Sequence, residues 1–308
     1  INFDELDLGE IKLWTKYFSE IKSGIGDAEI RLDINNGRIE KINSKLNINN
    51  LTWLTKENKK IIIEKLSGLI EWKGNKEHSS VKLSELNTSI EKGLKFKDAK
   101  IELEVDNKNK LKLISLNINR INLDAANKFI QKLPNTFTDF YVKYSSTSPS
   151  GLLTSLRVRW EKNKTFSLAA NVLDVSFMSF EGLPGIANIT GEIKIKNQKG
   201  YIKSVSKNIV ITDDNIFRGL VKFDQFSGVI SWDNSTYNFK DVNIKNNDFQ
   251  AEVSGSYFHG DKDKRSADMD INISNILVPE LKKYYPKQLG KKNLHWLDTS
   301  ILKGTIRS

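Results

Sequence analysis

Ala28-Glu29-Ile30-Arg31-Leu32-Asp33-Ile34 alternates apolar and charged residues without a break and then runs into Asn35-Asn36-Gly37. A period of two is that of a strand with one face withdrawn from water, because successive side chains leave the pleated backbone on opposite sides. Asn and Gly tolerate the left-handed conformations that a tight turn demands, so the strand reads as half of an antiparallel hairpin.

The pattern recurs along the chain. Ile101, Leu103 and Val105 alternate with Glu102 and Glu104; Leu156, Val158 and Trp160 alternate with Arg157 and Arg159. Phe166, Leu168, Ala170 and Val172 follow, then Ile189, Ile193 and Ile195 around Gly191. Val253 and Tyr257 flank Gly255, and Met269, Ile271 and Ile273 alternate with Asp268, Asp270 and Asn272. Val221 and Phe223 share the alternation, as do Ile70 with Trp72 and Ile230 with Trp232. Roughly eighteen such segments are expected, joined by short polar turns that favour an antiparallel meander. The fold class is therefore mainly β.

Three stretches depart from period two. Ile11, Trp14, Phe18 and Ile21 are spaced by three and four, which predicts a helix over Leu8–Ile21. Asp124 is placed to cap a second helix carrying Ala125, Ala126, Phe129, Ile130 and Leu133, ended by Pro134. Phe137, Phe140, Tyr141 and Tyr144 extend the helical spacing. Residues Pro279–Leu302 form the third stretch, with Leu281, Tyr284, Tyr285, Trp296, Leu297 and Ile301.

Each helix leads into a glycine and a strand, at Gly24, Gly151 and Gly304. Ser67-Gly68-Leu69-Ile70-Glu71-Trp72 also echoes Ser227-Gly228-Val229-Ile230-Ser231-Trp232. These features suggest a degenerate long repeat of one helix plus a run of strands. The expected division is 1–123, 124–276 and 277–308, the last a helical element that opens another unit. Eighteen strands about 4.8 Å apart would extend a continuous sheet over roughly 85 Å. The chain starts at Ile1 without Met and ends just after a strand begins near Gly304, so a piece of a longer protein is expected.

Composition narrows the chemistry. Lys and Arg number 48 against 38 Asp and Glu, a formal charge of +10. About thirty Asn accompany the lysines, as an AT-rich coding sequence would produce, and the lysines are interspersed with acids. Nucleic-acid binders concentrate their charge, so no nucleic-acid partner is expected, whereas attraction to anionic lipid headgroups needs only the sign. The absence of cysteine excludes disulfides and thiol catalysis. The longest aliphatic run is Ile61–Ile63, against the ~18 residues of a spanning helix.

His78, His259 and His295 have no metal-ligand spacing, and Gly182-Leu183-Pro184-Gly185 lacks the Lys-Ser/Thr of a phosphate loop. Asp261, Asp263, Asp268 and Asp270 lack the mid-loop Gly and closing Glu of a calcium loop, and read as a charged hairpin tip. No enzymatic activity, cofactor or metal is expected.

An ordered string of turns and strands carries a resemblance. Pro149-Ser150-Gly151-Leu152-Leu153 leads to Trp160; Phe166–Val172, Asp174-Val175-Ser176, Leu183-Pro184-Gly185-Ile186 and Ile189-Thr190-Gly191 follow. Gly200, Phe217, Gly228–Trp232, Asn246-Asn247-Asp248, Tyr284-Tyr285-Pro286, Trp296-Leu297-Asp298 and Gly304 complete it. Over residues 115 to 308 the chain resembles the bacterial AsmA-like envelope proteins of the YhdP type.

That resemblance implies a bridge-like lipid transporter. The parent would be anchored in the inner membrane of a Gram-negative bacterium and cross the periplasm. An elongated antiparallel sheet would curl into an open apolar groove, shielding phospholipid acyl chains between the two membranes. The wall would then be Ile30, Leu32, Ile34, Ile70, Trp72, Ile101, Leu103, Val105, Leu156, Val158, Trp160, Phe166, Leu168, Ala170, Val172, Ile189, Ile193, Ile195, Val221, Phe223, Ile230, Trp232, Val253, Tyr257, Met269, Ile271 and Ile273. Other envelope proteins would be possible partners. Alternation alone is equally compatible with a structural β-scaffold or protein-interaction module whose apolar face is a closed core.

Overall fold

The computed structural model describes the chain except residues 12–19, 56, 76, 107, 109, 133–145, 181–183, 213–219, 260–264, 286–288, 301–303 and 307–308. It contains one antiparallel sheet of fifteen strands whose order in space is their order in the chain. The strands are β1 (Asn2–Asp7), β2 (Ile21–Asn35), β3 (Arg38–Leu54), β4 (Lys60–Gly74), β5 (His78–Ile90), β6 (Leu94–Asp106), β7 (Leu111–Asn122) and β8 (Ser150–Glu161). They continue with β9 (Thr165–Phe177), β10 (Gly185–Lys196), β11 (Lys199–Thr212), β12 (Val221–Asp233), β13 (Thr236–Lys245), β14 (Gln250–His259) and β15 (Arg265–Ser274). Strands β1 and β15 lie at the two ends of the order, so the sheet is not closed. Two-residue strands at Ile276–Leu277 and Thr305–Ile306 pair separately. Among the described residues the sheet holds fifteen strands and the separate pair two more, against the roughly eighteen segments expected.

The chain divides into two compact units: Ile1–Ser145 with Leu152–Ala170, and Ser146–Gly151 with Asn171–Ser308. The strands of both are interrupted by residues of positive φ. Asn50 (φ 52°), Glu85 (52°) and Asp98 (53°) do this in the first unit, and Asp241 (51°) in the second. At each the ladder slips. Between Leu83 and Leu86, β5 advances three residues while β6 advances two, from Ile101 to Ala99. Between Phe239 and Val242, β13 advances three while β14 advances two. These are β-bulges, which bend a strand and increase its local twist.

The bulges explain the echo between Ser67–Trp72 and Ser227–Trp232. In both, the glycine lies opposite the bulge of the next strand, Glu85 in one case and Asp241 in the other. A Cβ on Gly228 (φ +142°) would approach the Val242 Cα to 2.6 Å, and one on Gly68 would approach the Leu86 Cα to 3.2 Å. At Gly228 only glycine lets the neighbouring backbone come that close, and at Gly68 a side chain would be crowded. Gly24 and Gly151 lie inside β2 and β8, not at helix ends as the sequence reading supposed.

Among the described residues the helices are short. Helix α1 spans Leu8–Ile11; Trp14 and Phe18 lie outside the described residues, and Ile21 opens β2, where its partner is Trp53. Ladder pairing thus overrides the helical spacing at Ile21. Helix α2 (Leu123–Ile130) is capped by Asn122, not Asp124: the Asn122 side chain accepts from the Ala125 N–H at 2.8 Å. Asp124 sits in the first turn, where its charge suits the helix dipole. Leu133, Pro134 and the aromatic run Phe137–Tyr144 lie outside the described residues. The last helical stretch is a 3-10 helix (Val278–Tyr284) followed by α3 (Lys291–Ser300).

Each unit has its own core at the strand ends beyond the bulges. In the first, Ile90, Leu94, Ala125 and Ala126 pack with Ile63, Phe96, Ile121 and Phe129, so α2 covers this end of the sheet. Lys132 pairs with Glu91 and donates to the Lys60 carbonyl at 3.2 Å, fixing the segment after α2. In the second, Ile209, Val221 and Phe223 pack with Ile186, Ile211, Phe226, Ile244, Phe249 and Tyr284. The Tyr284 hydroxyl donates to Asp248 Oδ2 at 2.6 Å and accepts from Asn246 Nδ2 at 2.6 Å.

Candidate functional site

Cross-strand partners share a face, so register identifies the walls directly. In the first unit one row runs Ile30, Ser44, Ile70, Leu83, Ile101, Leu116, Val158 across β2 to β8. The next, closer to the hairpin tips, runs Leu32, Ile42, Trp72, Val81, Leu103, Ile114, Trp160. In the second unit Ile193, Ile202, Ile230, Phe239, Gly255 and Met269 form a row across β10 to β15. Ile195, Gly200, Trp232, Tyr237, Tyr257 and Ala267 form the row nearer the tips.

These rows are apolar but not packed away. Ile30, Ile70, Trp72, Ile101, Leu103, Val105, Val158, Trp160, Phe166 and Leu168 are half-buried, as are Ile189, Ile193, Ile195, Ile230, Trp232, Val253, Tyr257 and Met269. Leu32, Ile34, Ile271 and Ile273 are exposed, Ile34 at 61% and Ile271 at 54%. Leu156, Ala170 and Val172 are buried. Val221 (1%) and Phe223 (7%) belong to the closed core beneath Tyr284, so their surface is already occupied by protein. The largest side chains below 2% exposure among the described residues are Ile61, Leu94 and Val221, one or two per unit and all toward the covered ends.

The sequence reading passed over Ile42, Val81, Leu83, Ile114, Leu116, Ile202 and Phe239. The same alternation marks them in the sequence. That reading also passed over the bulges, which are legible as a one-residue slip in phase: Leu46 and Ile48 before Asn50, then Leu51 and Trp53 after it.

At the β1 end, the first unit has a partly open apolar cavity of about 560 Å³. Phe3, Leu6, Leu8, Ile21, Ala28, Ile30, Leu46, Ile48 and Leu51 line it, with Asp7 and Glu10 as its acidic residues. This volume and lining are those of a site for an apolar ligand.

On the first unit's wall the buried Ser44 hydroxyl has no hydrogen-bond partner among the described residues, whereas polar groups beside a break in the second unit's ladder satisfy one another. From Ala187/Val210 to Gly191/Ser204 the register skips, leaving Thr190 without its regular partners. Ser206 accepts from the Thr190 N–H at 2.8 Å, and both Ser204 and Ser206 donate to the Thr190 carbonyl at 3.1 Å. Both serines are 3% exposed. Burial costs them little, because the bulged backbone and the hydroxyls satisfy each other.

The opposite face is polar and largely charged: Arg31, Asn43, Glu71, Lys82, Glu102, Ser115 and Arg159 share one cross-strand row. Lys73 and Lys41 hold the Glu71 carboxyl below its ordinary range, at 2.9 and 3.0 Å. Lys194 and then Tyr201 do the same for Glu192. One face is thus hydrated and charged, the other apolar. No group of three or more His, Cys, Asp or Glu among the described residues could hold a metal ion, and no helix among them is long and apolar enough to cross a membrane.

The family model described as YhdP protein matches residues 1–308. Comparison with curated proteins and with solved structures found no match.

Proposed function

The chain belongs to the YhdP family, and on that premise we propose that its apolar rows shield phospholipid acyl chains passing between the inner and outer membranes of a Gram-negative envelope. The observation that carries this reading is the half-buried state of the rows from Ile30 to Val158 and from Ile193 to Met269. A soluble sheet that keeps a continuous apolar face only half covered needs something to cover it.

The energetics suit carriage better than tight capture. Each methylene moved from water to an apolar wall gains about 0.8 kcal/mol, so half-shielding a chain of about sixteen carbons gains roughly 6 kcal/mol. That holds a tail out of water. Aliphatic and aromatic walls give a tail no directional bond, so neighbouring positions along the rows are close in energy and a chain can slide between them. The bulges bend the strands that carry them, and a bent sheet approaches a tail from more than one side.

Native mass spectrometry of the purified chain tests the proposal. Phospholipid adducts that persist after gel filtration are expected. A clean apo mass, from material purified without detergent, would favour the scaffold reading instead.

A further inference from the structure

Lysines dispersed in the sequence converge in the first unit. The pairing of β7 with β8 brings the β6–β7 and β8–β9 tips side by side, with the Lys162 N–H donating to the Lys112 carbonyl at 2.9 Å. Lys108, Lys110, Lys112, Lys162 and Lys164 are all exposed there, beside Arg159. The acids present are engaged. Asp106 Oδ1 accepts from the Lys110 N–H at 2.9 Å and the Lys108 N–H at 3.0 Å. Glu161 pairs with Lys164 at 2.7 Å and faces Arg159 at 3.9 Å.

No salt bridge joins Lys110, Lys112 or Lys162 to a carboxylate among the described residues. Two other tips of this unit are balanced in sequence, Asp33 and Glu40 against Arg38 and Lys41 in one, Glu71 and Glu77 against Lys73 and Lys76 in another. The Asp106 carboxyl is held below its ordinary value by the Lys110 N–H first, then by the Lys108 N–H and the charges of Lys112 and Lys162, so it stays ionised and offers no proton to an arriving anion.

The cluster sits where a headgroup would emerge. Trp160 ends the apolar row Leu32 to Trp160, and Lys162 follows two residues later, about 7 Å along an extended chain. A tryptophan between an apolar wall and a basic edge is the arrangement found at the headgroup level of membranes. We propose that the Lys110, Lys112 and Lys162 tip cluster attracts the net negative headgroup charge of an anionic phospholipid whose tails lie on the first unit's wall, and is indifferent to a zwitterionic headgroup. This rests on the acyl-chain reading above.

The test compares monomeric short-chain phosphatidylglycerol with short-chain phosphatidylcholine, titrated into the 308-residue chain at low salt. The variant is K110Q/K112Q/K162Q, all at exposed positions. Exposed charge pairs are individually weak, so three together should favour phosphatidylglycerol by about three- to tenfold. In the variant this ratio should fall to about one with phosphatidylcholine affinity unchanged. An equal ratio in both proteins overturns the tip cluster while leaving the apolar wall intact. Failure of both lipids to bind overturns the wall and the cluster together. Discrimination only on phosphatidylglycerol vesicles, and not between the monomers, would mean that the tips dock on a bilayer surface, and overturns the proposal equally.

Discussion

Leu103→Asp and Leu94→Asp place the same charge on one strand, on opposite sides of the bulge at Asp98. Leu103 is half-buried in the row from Leu32 to Trp160, whereas Leu94 is 1% exposed beneath α2. Fully burying a leucine is worth about 1.5–3 kcal/mol, so a half-buried one forfeits about 1 kcal/mol. The poor strand propensity of Asp adds up to ~1 kcal/mol. At about 2–4 °C per kcal/mol, the Leu103→Asp protein should melt cooperatively within about 8 °C of the wild type. At Leu94 the truncation alone costs about 2–5 kcal/mol, and an unpaired carboxylate under α2 adds several more. That variant should lose its cooperative transition. Circular dichroism melts give the stability and native mass spectrometry gives the bound phospholipid, which Leu103→Asp should lose. Equal destruction by both substitutions would show that the row is core. A stable Leu103→Asp protein retaining full lipid would show that tails do not lie there.

Three further outcomes can be checked by urea denaturation. Glu85→Gly should be neutral or stabilising by up to ~1 kcal/mol, and Glu85→Val destabilising by about 1–3 kcal/mol, since a β-branched residue is poorly accommodated at φ 52°. Gly255→Ala should cost about 1–3 kcal/mol, because its φ is +131° and its Cβ would stand 2.2 Å from the Asp268 carbonyl oxygen. Burial, and then the hydrogen bond to Asp248, push the Tyr284 hydroxyl up to about 12 from an ordinary value of 10.0. The folded state therefore retains the proton more tightly, so this contribution is complete below pH 10 and falls between about pH 10 and 12; Tyr284→Phe should remove that part of the pH dependence.

Alternation made the mainly β architecture and one whole face legible, because a residue's side of a strand depends only on its neighbours. The bulges were harder. A single slip, as from Leu83 to Leu86, resembles noise until the partner strand shows that three residues oppose two. The cap was misplaced for a related reason: Asn122 and Asp124 both suit it, and only the end of β7 decides between them. Long-range convergence was not legible. Lys112 and Lys162 are fifty positions apart, and the β7–β8 pairing alone makes them neighbours. Covering was equally hidden, since Val221 and Ile193 alternate alike, yet one lies under Tyr284 and the other does not.

This difference in covering bears on how the sheet can hold apolar surface open at all. An uncovered apolar wall contributes less to stability than a packed one, by about 25 cal/mol for every Å² left wet. Something else must fix its geometry. In the first unit the strands are clamped beyond their bulges by Leu94, Ile90 and α2, and in the second by Val221, Phe223 and Tyr284. The backbone ladder then carries that order toward the tips, where side chains are free of packing duties. Strands such as β3, β5, β6 and β13 are therefore divided by a bulge into a stretch that folds the unit and a stretch that can meet a ligand. Wall residues can vary in size among apolar types without unfolding the protein, whereas the covered residues cannot, because their cavities have no solvent or ligand to fill them.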